Sequence, residues 1–223
     1  NIAFFAAQGY GGNLPELLKA AVGAGHFNPD PDADGLSRRV PMLVEYKGAY
    51  YEPLSLAIVR VWLGMVEAAK TSSSTIRLPR VVAGYPAEGG WSRGYQGLEW
   101  LQVGPLRIPV DNRVSALVPY RGQQGSFKYL SAVDVIQGKA DPADLKGKIV
   151  LVGTTAPGLF DLRSTPVASV YPGVEIHANL IAGMLDQDIK QRPSYVQGAE
   201  IMLLLVTGIA LTLVLPLLTP DRQ

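Results

Sequence analysis

Glu175 and His177 stand two residues apart in PGVEIHANL, a carboxylate beside an imidazole, the kind of pair that supplies proton-transfer and metal sites. A spacing of two shares a face on a strand but not on a helix. A metal would need a third ligand and a triad a placed nucleophile, and the only other histidine, His26, belongs to an unrelated segment. The plainer reading is that Glu175 favours a helix N-terminus by its charge while His177 bonds a neighbouring loop.

A second cluster lies in GKIVLVGTTAPGLFDLRSTP, where an apolar run ends in Gly153, Thr154 and Thr155 before Asp161 and Arg163. The stretch lacks the lysine and hydroxyl that follow the second glycine of a P-loop, and no glycine stands two positions after Gly153, so neither nucleotide fingerprint is met. What survives is a polar loop at the C-terminal end of a buried strand, where open α/β sheets hold ligands. Against this, the threonines can cap local backbone and Asp161 can pair with Arg163.

Two further loops carry charge. Asp30, Asp32 and Asp34 in DPDADG resemble the start of a calcium loop, but the twelfth position, where a bidentate glutamate is required, is Pro41. A plain turn is favoured there. Arg121, Ser126 and Tyr129 in YRGQQGSFKYLSAVDV form a glycine-bracketed loop ahead of a helix, able to hold an anion or simply to turn tightly. Hydrolysis at Asp161, Glu175 and His177 would need a metal or nucleophile that the sequence does not display.

The elements that position these residues read as follows. A short strand at 1–7 precedes a brief helix from Pro15, and RRVPMLVEY with KGAYYEPL forms a hairpin turning at Lys47 and Gly48. Pro53 opens a core helix whose stripe is Leu54, Ile58, Val61, Trp62 and Met65. Gly84 to Gly97 reads as a surface loop. A hairpin with breaks at Gly104 and at Asp111 and Asn112 follows Leu98, then a capped helix from Ser131 to Gly138, a strand over 148–152, and a helix from about Val174 to Leu185. The fold class is α/β, a mixed sheet flanked by helices and followed by one C-terminal transmembrane helix.

The last element rests on IMLLLVTGIALTLVLPLL, Ile201 to Leu218, which holds no charge and spans roughly 27 Å at about 1.5 Å per residue. Lys190, Arg192 and Arg222 are too few to set its orientation. NIAFFAAQGY is no signal peptide. Composition narrows the rest: 20 basic against 19 acidic residues give a formal charge of +1 and no field to attract nucleic acid. The absence of cysteine removes disulfides, thiolate nucleophiles and Cys-based metal sites.

Three blocks, NPDPDADGLSRRVPMLVEYKGAYYEPLSLAIVRVWLG, VPYRGQQGSFKYLSAVDVIQG and LKGKIVLVGTTAPGLFDLRSTPVASVYPGVEIHANLIAGML, stand in the order found in the CHASE domain of the second type. The chain resembles that sensor over about Gly25 to Gln187. The resemblance implies an extracytoplasmic α/β domain between bacterial membrane helices, coupled to an adenylate or guanylate cyclase, a histidine kinase or a serine/threonine kinase. It implies residues 1–198 as sensor, 199–219 as membrane helix and 220–223 as tail. The soluble part is then on the periplasmic or extracellular side of the inner membrane.

The family's N-terminal membrane helix does not precede Asn1, so the chain reads as an interior piece of a receptor or a truncated relative. The resemblance implies a sensory, non-enzymatic role with no cofactor. The alternative is an accessory or structural subunit of a membrane complex, with Trp91 and Tyr95 as contact surface. Expected partners are membrane lipid, an extracytoplasmic ligand or protein, and further copies of the chain or a membrane assembly, but not nucleic acid. The ligand pocket is expected at Arg121, Ser126, Thr154, Asp161, Glu175 and His177, with no metal beyond the weak calcium motif.

Overall fold

The computed structural model describes residues 2, 4–28, 30–85, 98–155, 161–191 and 195–218. The expected loop with Trp91 and Tyr95, the 220–223 tail, and the centre of the loop before Asp161 lie outside them. The chain divides into two compact units, Asn1–Tyr85 with Leu98–Gln191, and Pro86–Gly97 with Arg192–Gln223.

In chain order the first unit holds β1 (Phe5–Ala6), α1 (Pro15–Ala20), β2 (Arg39–Pro41), β3 (Val44–Tyr46), β4 (Ala49–Tyr51), α2 (Leu54–Lys70) and β5 (Val81–Gly84). After these come β6 (Trp100–Val103), β7 (Leu106–Pro109), β8 (Ser115–Leu117), α3 (Ala132–Ile136), a 3-10 turn at Pro142–Asp144, β9 (Leu162–Arg163), β10 (Tyr171–Pro172) and α4 (Gly173–Asp186). One sheet is mixed: β1 runs parallel to β3, which pairs antiparallel with β4. β5, β6 and β7 form an antiparallel sheet, and β2 with β8 and β9 with β10 form antiparallel pairs.

The β3–β4 hairpin turns through Lys47 and Gly48 at φ 51° and 78°. Two consecutive positive φ values are what a two-residue type I′ turn requires, and glycine meets that demand without steric cost. The longer strand expected upstream is broken. Arg39–Pro41 pairs with β8, a ladder that Met42 N continues to Val114 O at 2.8 Å, while Val44–Tyr46 pairs with β4.

α2 also departs from expectation. Its buried residues are Ser55, Leu56, Ala57, Val59 and Gly64, whereas Trp62 and Met65 of the expected stripe are exposed. Leu56, Val59 and Leu63 make a second apolar row at helical spacing, and this row joins the core together with Ile58 of the expected stripe. The segment 148–152 is not part of any described ladder. Ile149 and Leu151 pack on the core while Val150 and Val152 face solvent, Val152 91% exposed, so the run buries one side rather than two.

The core joins Met42, Leu56 and Val59 to Leu101, Val103 and Ile108 of the β5–β7 sheet and to Tyr171, Leu180 and Met184. α2 and α4 pack against each other across it. In the second unit, α5 (Tyr195–Leu218) is a continuous helix with a window, Gly198–Leu215, of mean hydropathy 2.2. At about 1.5 Å per residue it is long enough for a bilayer core. The apolar run holds two threonines, Thr207 and Thr212, and Thr212 donates its hydroxyl to Gly208 O at 2.8 Å.

Candidate functional site

The first turns of α4 position the site. Pro172 leads into the helix, and Gly173 N donates to Asp161 O at 2.8 Å. The Asp161 carboxylate lies against Gly173, where a Cβ would sit 2.2 Å from Oδ1, so only glycine admits that close approach. A negative charge at this end is favoured by the helix dipole. At the other end Gln187 adopts φ 56°, and Asp188 N returns to Gly183 O at 3.0 Å, closing the helix with a left-handed cap.

Positions 175 and 177 differ by about 200° around a helix, and the structure gives them separate surroundings. Glu175, 2% exposed, accepts Gly125 N on both oxygens at 3.1 and 3.2 Å and the Tyr129 hydroxyl on Oε2 at 2.6 Å. One turn on, fully buried Asn179 accepts Arg121 N on Oδ1 at 2.9 Å and donates Nδ2 to the Tyr171 hydroxyl at 2.9 Å and to Glu175 O at 2.8 Å. Tyr120 packs edge-on against Tyr171 at 5.4 Å and donates its hydroxyl to Ser37 O. Burial raises the phenol pKa of Tyr120, Tyr129 and Tyr171, and the carboxylate of Glu175 raises that of Tyr129 further, so all three remain protonated.

This network fastens the 121–129 loop to α4 by satisfied polar groups. Buried polar groups of this kind give rigidity and register when every partner is present. It brings Glu175 to the loop of Arg121 and Ser126, but through the Gly125 and Arg121 backbone. The Arg121 guanidinium bonds Asp186 and lies 5.8 Å from the Phe127 ring, and Ser126 Oγ donates to Gln123 O at 2.7 Å.

The opposite face of α4 is unsatisfied. His177 is 9% exposed, and among the described residues its buried Nδ1 has no partner, nor does either ring nitrogen of His26. The two rings sense each other: burial, then the His177 charge, lowers the His26 pKa to about 4. Burial lowers His177 too, against the opposing pull of Asp161. Beside them is a cavity of about 30 Å³ lined by Ser37, Arg39, Asp161, Arg163 and His177 and edged by Phe27. Arg39 pairs with Asp111 at 3.2 Å through Nη1, and its buried Nε has no partner among the described residues.

Of the six expected pocket residues, then, Asp161 and His177 share this cavity, Glu175 faces away from it, and Thr154 is exposed on the segment after Leu151. The aspartates of DPDADG are taken up by arginines. Arg38 reaches Asp32 at 2.9 Å and Asp34 at 2.7 Å, holding the Asp34 carboxyl down to about 2, and Arg113 meets Asp30 at 3.2 Å. Among the described residues no group of three acidic or histidine side chains could hold a metal ion.

A family model described as the CHASE2 domain matches residues 3–215. This chain belongs to the CHASE2 family. Neither a curated protein nor a solved structure matches it. CHASE2 domains are extracytoplasmic sensory domains, and the match takes in both the α/β unit and most of α5. The residues that sequence reasoning passed over in this CHASE2 domain are His26, Arg39, Tyr171 and Asn179. His26 was separable from His177 only by its distance along the chain, and Asn179 carried a readable signal: an amide four residues after Glu175, hence on the same helix face.

Proposed function

We propose that this CHASE2 domain is the sensing part of a bacterial membrane signalling receptor, placed on the outer side of the inner membrane, and that it catalyses no reaction. The observation that carries the reading is the division of α4 into a satisfied face and an unsatisfied one. Glu175 and Asn179 hold the 121–129 loop, while His177, which lines a small cavity, has a buried polar atom with no partner among the described residues. A ligand that fills that vacancy favours one arrangement of α4 over another, which is sensing by population shift. α4 and α5 are consecutive helices along the chain, which makes α5 the element next in sequence to the sensing helix.

In cells carrying the full receptor, His177→Ala and Asp161→Ala are expected to change its output at unchanged abundance. Unaltered output from both variants would contradict the reading. A second reading, an accessory subunit docked on a larger complex, is favoured by the exposed apolar side chains Leu17, Leu18, Trp62 and Met65 on α1 and α2. Co-migration with one fixed, non-signalling complex from native membranes would select it.

A further inference from the structure

The cavity at the head of α4 presents both signs of charge within a small volume. Arg39 and Arg163 stand on it, Asp161 stands on it, and Asp111 neutralises Arg39 from the side. The balance is two positive against two negative, so a plain anion or cation would leave a net charge in a half-buried place, which is costly. A ligand with one group of each sign leaves none. The orphaned groups sharpen the choice: Arg39 Nε is an N–H donor, and His177 Nδ1 is a donor in one tautomer of the neutral ring. Both suit a carboxylate, and Asp161 suits an ammonium.

We propose that this cavity binds the head group of a free α-amino acid, with its carboxylate on Arg39 Nε, Arg163 and His177 Nδ1 and its ammonium on Asp161. The inference rests on the sensory reading above and names its ligand. At about 30 Å³ the cavity holds roughly two waters and therefore only the carboxylate end. Admitting the rest moves the strap 25–28, which crosses the site with Phe27 69% exposed at its rim. That strap is tied to the head of α2 by His26 N to Glu52 O at 3.0 Å and Leu54 N to His26 O at 2.8 Å. Ligand entry is thereby coupled to α2, and the ligand side chain lies outward beside Phe27.

The test is thermal shift and calorimetric titration of the purified full chain in detergent with glycine, L-alanine and L-leucine. Acetate and methylammonium serve as the two half-molecules. At least one amino acid is expected to raise the unfolding midpoint, with neither half-molecule doing so at equal concentration. Asp161→Asn and, independently, Arg163→Gln are expected to weaken binding at least about tenfold while keeping a cooperative unfolding transition. No shift from any of the three amino acids, or an equal shift from acetate, overturns the assignment. If His177→Ala still alters receptor output in that event, only the ligand class falls; if it does not, the sensory site falls with it.

Discussion

Replacing Asn179 with leucine removes the amide that joins the 121–129 loop to α4 while keeping the branched, four-atom shape of the side chain. Three hydrogen bonds are lost, from Arg121 N, to the Tyr171 hydroxyl and to Glu175 O. Glu175 O retains its own helical amide, so the cost falls on the other two. At about 1 kcal/mol for each bond, the expected destabilisation is about 2 kcal/mol. For a domain of 150–250 residues that lowers the unfolding midpoint by about 4–8 °C. Tyr171→Phe removes the partner group, and because the two changes share one bond the double variant is expected to lose at least about 0.5 kcal/mol less than the sum. The assay is thermal unfolding of the four proteins of the cycle, followed by circular dichroism. A loss below about 0.5 kcal/mol for Asn179→Leu, or strict additivity in the cycle, would refute the claim that this network fastens the loop.

Three other outcomes are expected. His26 and His177 are neutral in the folded protein, and their surroundings include Asp161, Arg39, Arg163 and the Glu52–Arg60 pair. An unfolded histidine titrates near 6.5, so the unfolded chain binds more protons between pH 6.5 and about 4, and stability falls as pH drops through that window. Unfolding midpoints across that range are expected to flatten in His26→Gln. Gly173→Ala places a methyl on the Asp161 carboxylate and is expected to cost about 1–3 kcal/mol in denaturant unfolding, with partial recovery in the Gly173→Ala, Asp161→Ala double variant. Leu205→Arg, near the centre of α5, is expected to cost about 3–4 kcal/mol of membrane insertion and to raise the carbonate-extractable fraction.

What the sequence discloses depends on how local the deciding physics is. The Lys47–Gly48 turn, the start of α4 after Pro172 and the apolar length of α5 are set by a few adjacent residues, and each is legible. The buried face of α2 is not, since two of its rows are apolar and only the partner across the core selects Leu56 and Val59. The β2–β8 pair and the meeting of His26 with His177 are long-range, and no spacing rule reaches them. At the site, Asp161 and His177 were readable as chemistry-bearing residues at element ends. Glu175 was readable as an acid in a first helical turn, whereas its backbone partner Gly125 carried no side-chain signal at all.

The central claim is that the α/β unit works outside the cytoplasm as a sensor attached to the membrane through α5. Residues 1–223 contain no cysteine, so Ser74→Cys, on the exposed connection after α2, adds the sole thiol within them, and the receptor without the substitution is the blank. Treatment of spheroplasts with a membrane-impermeant maleimide is expected to label it fully without lysis. Labelling that appears only after the membrane is broken would contradict the account.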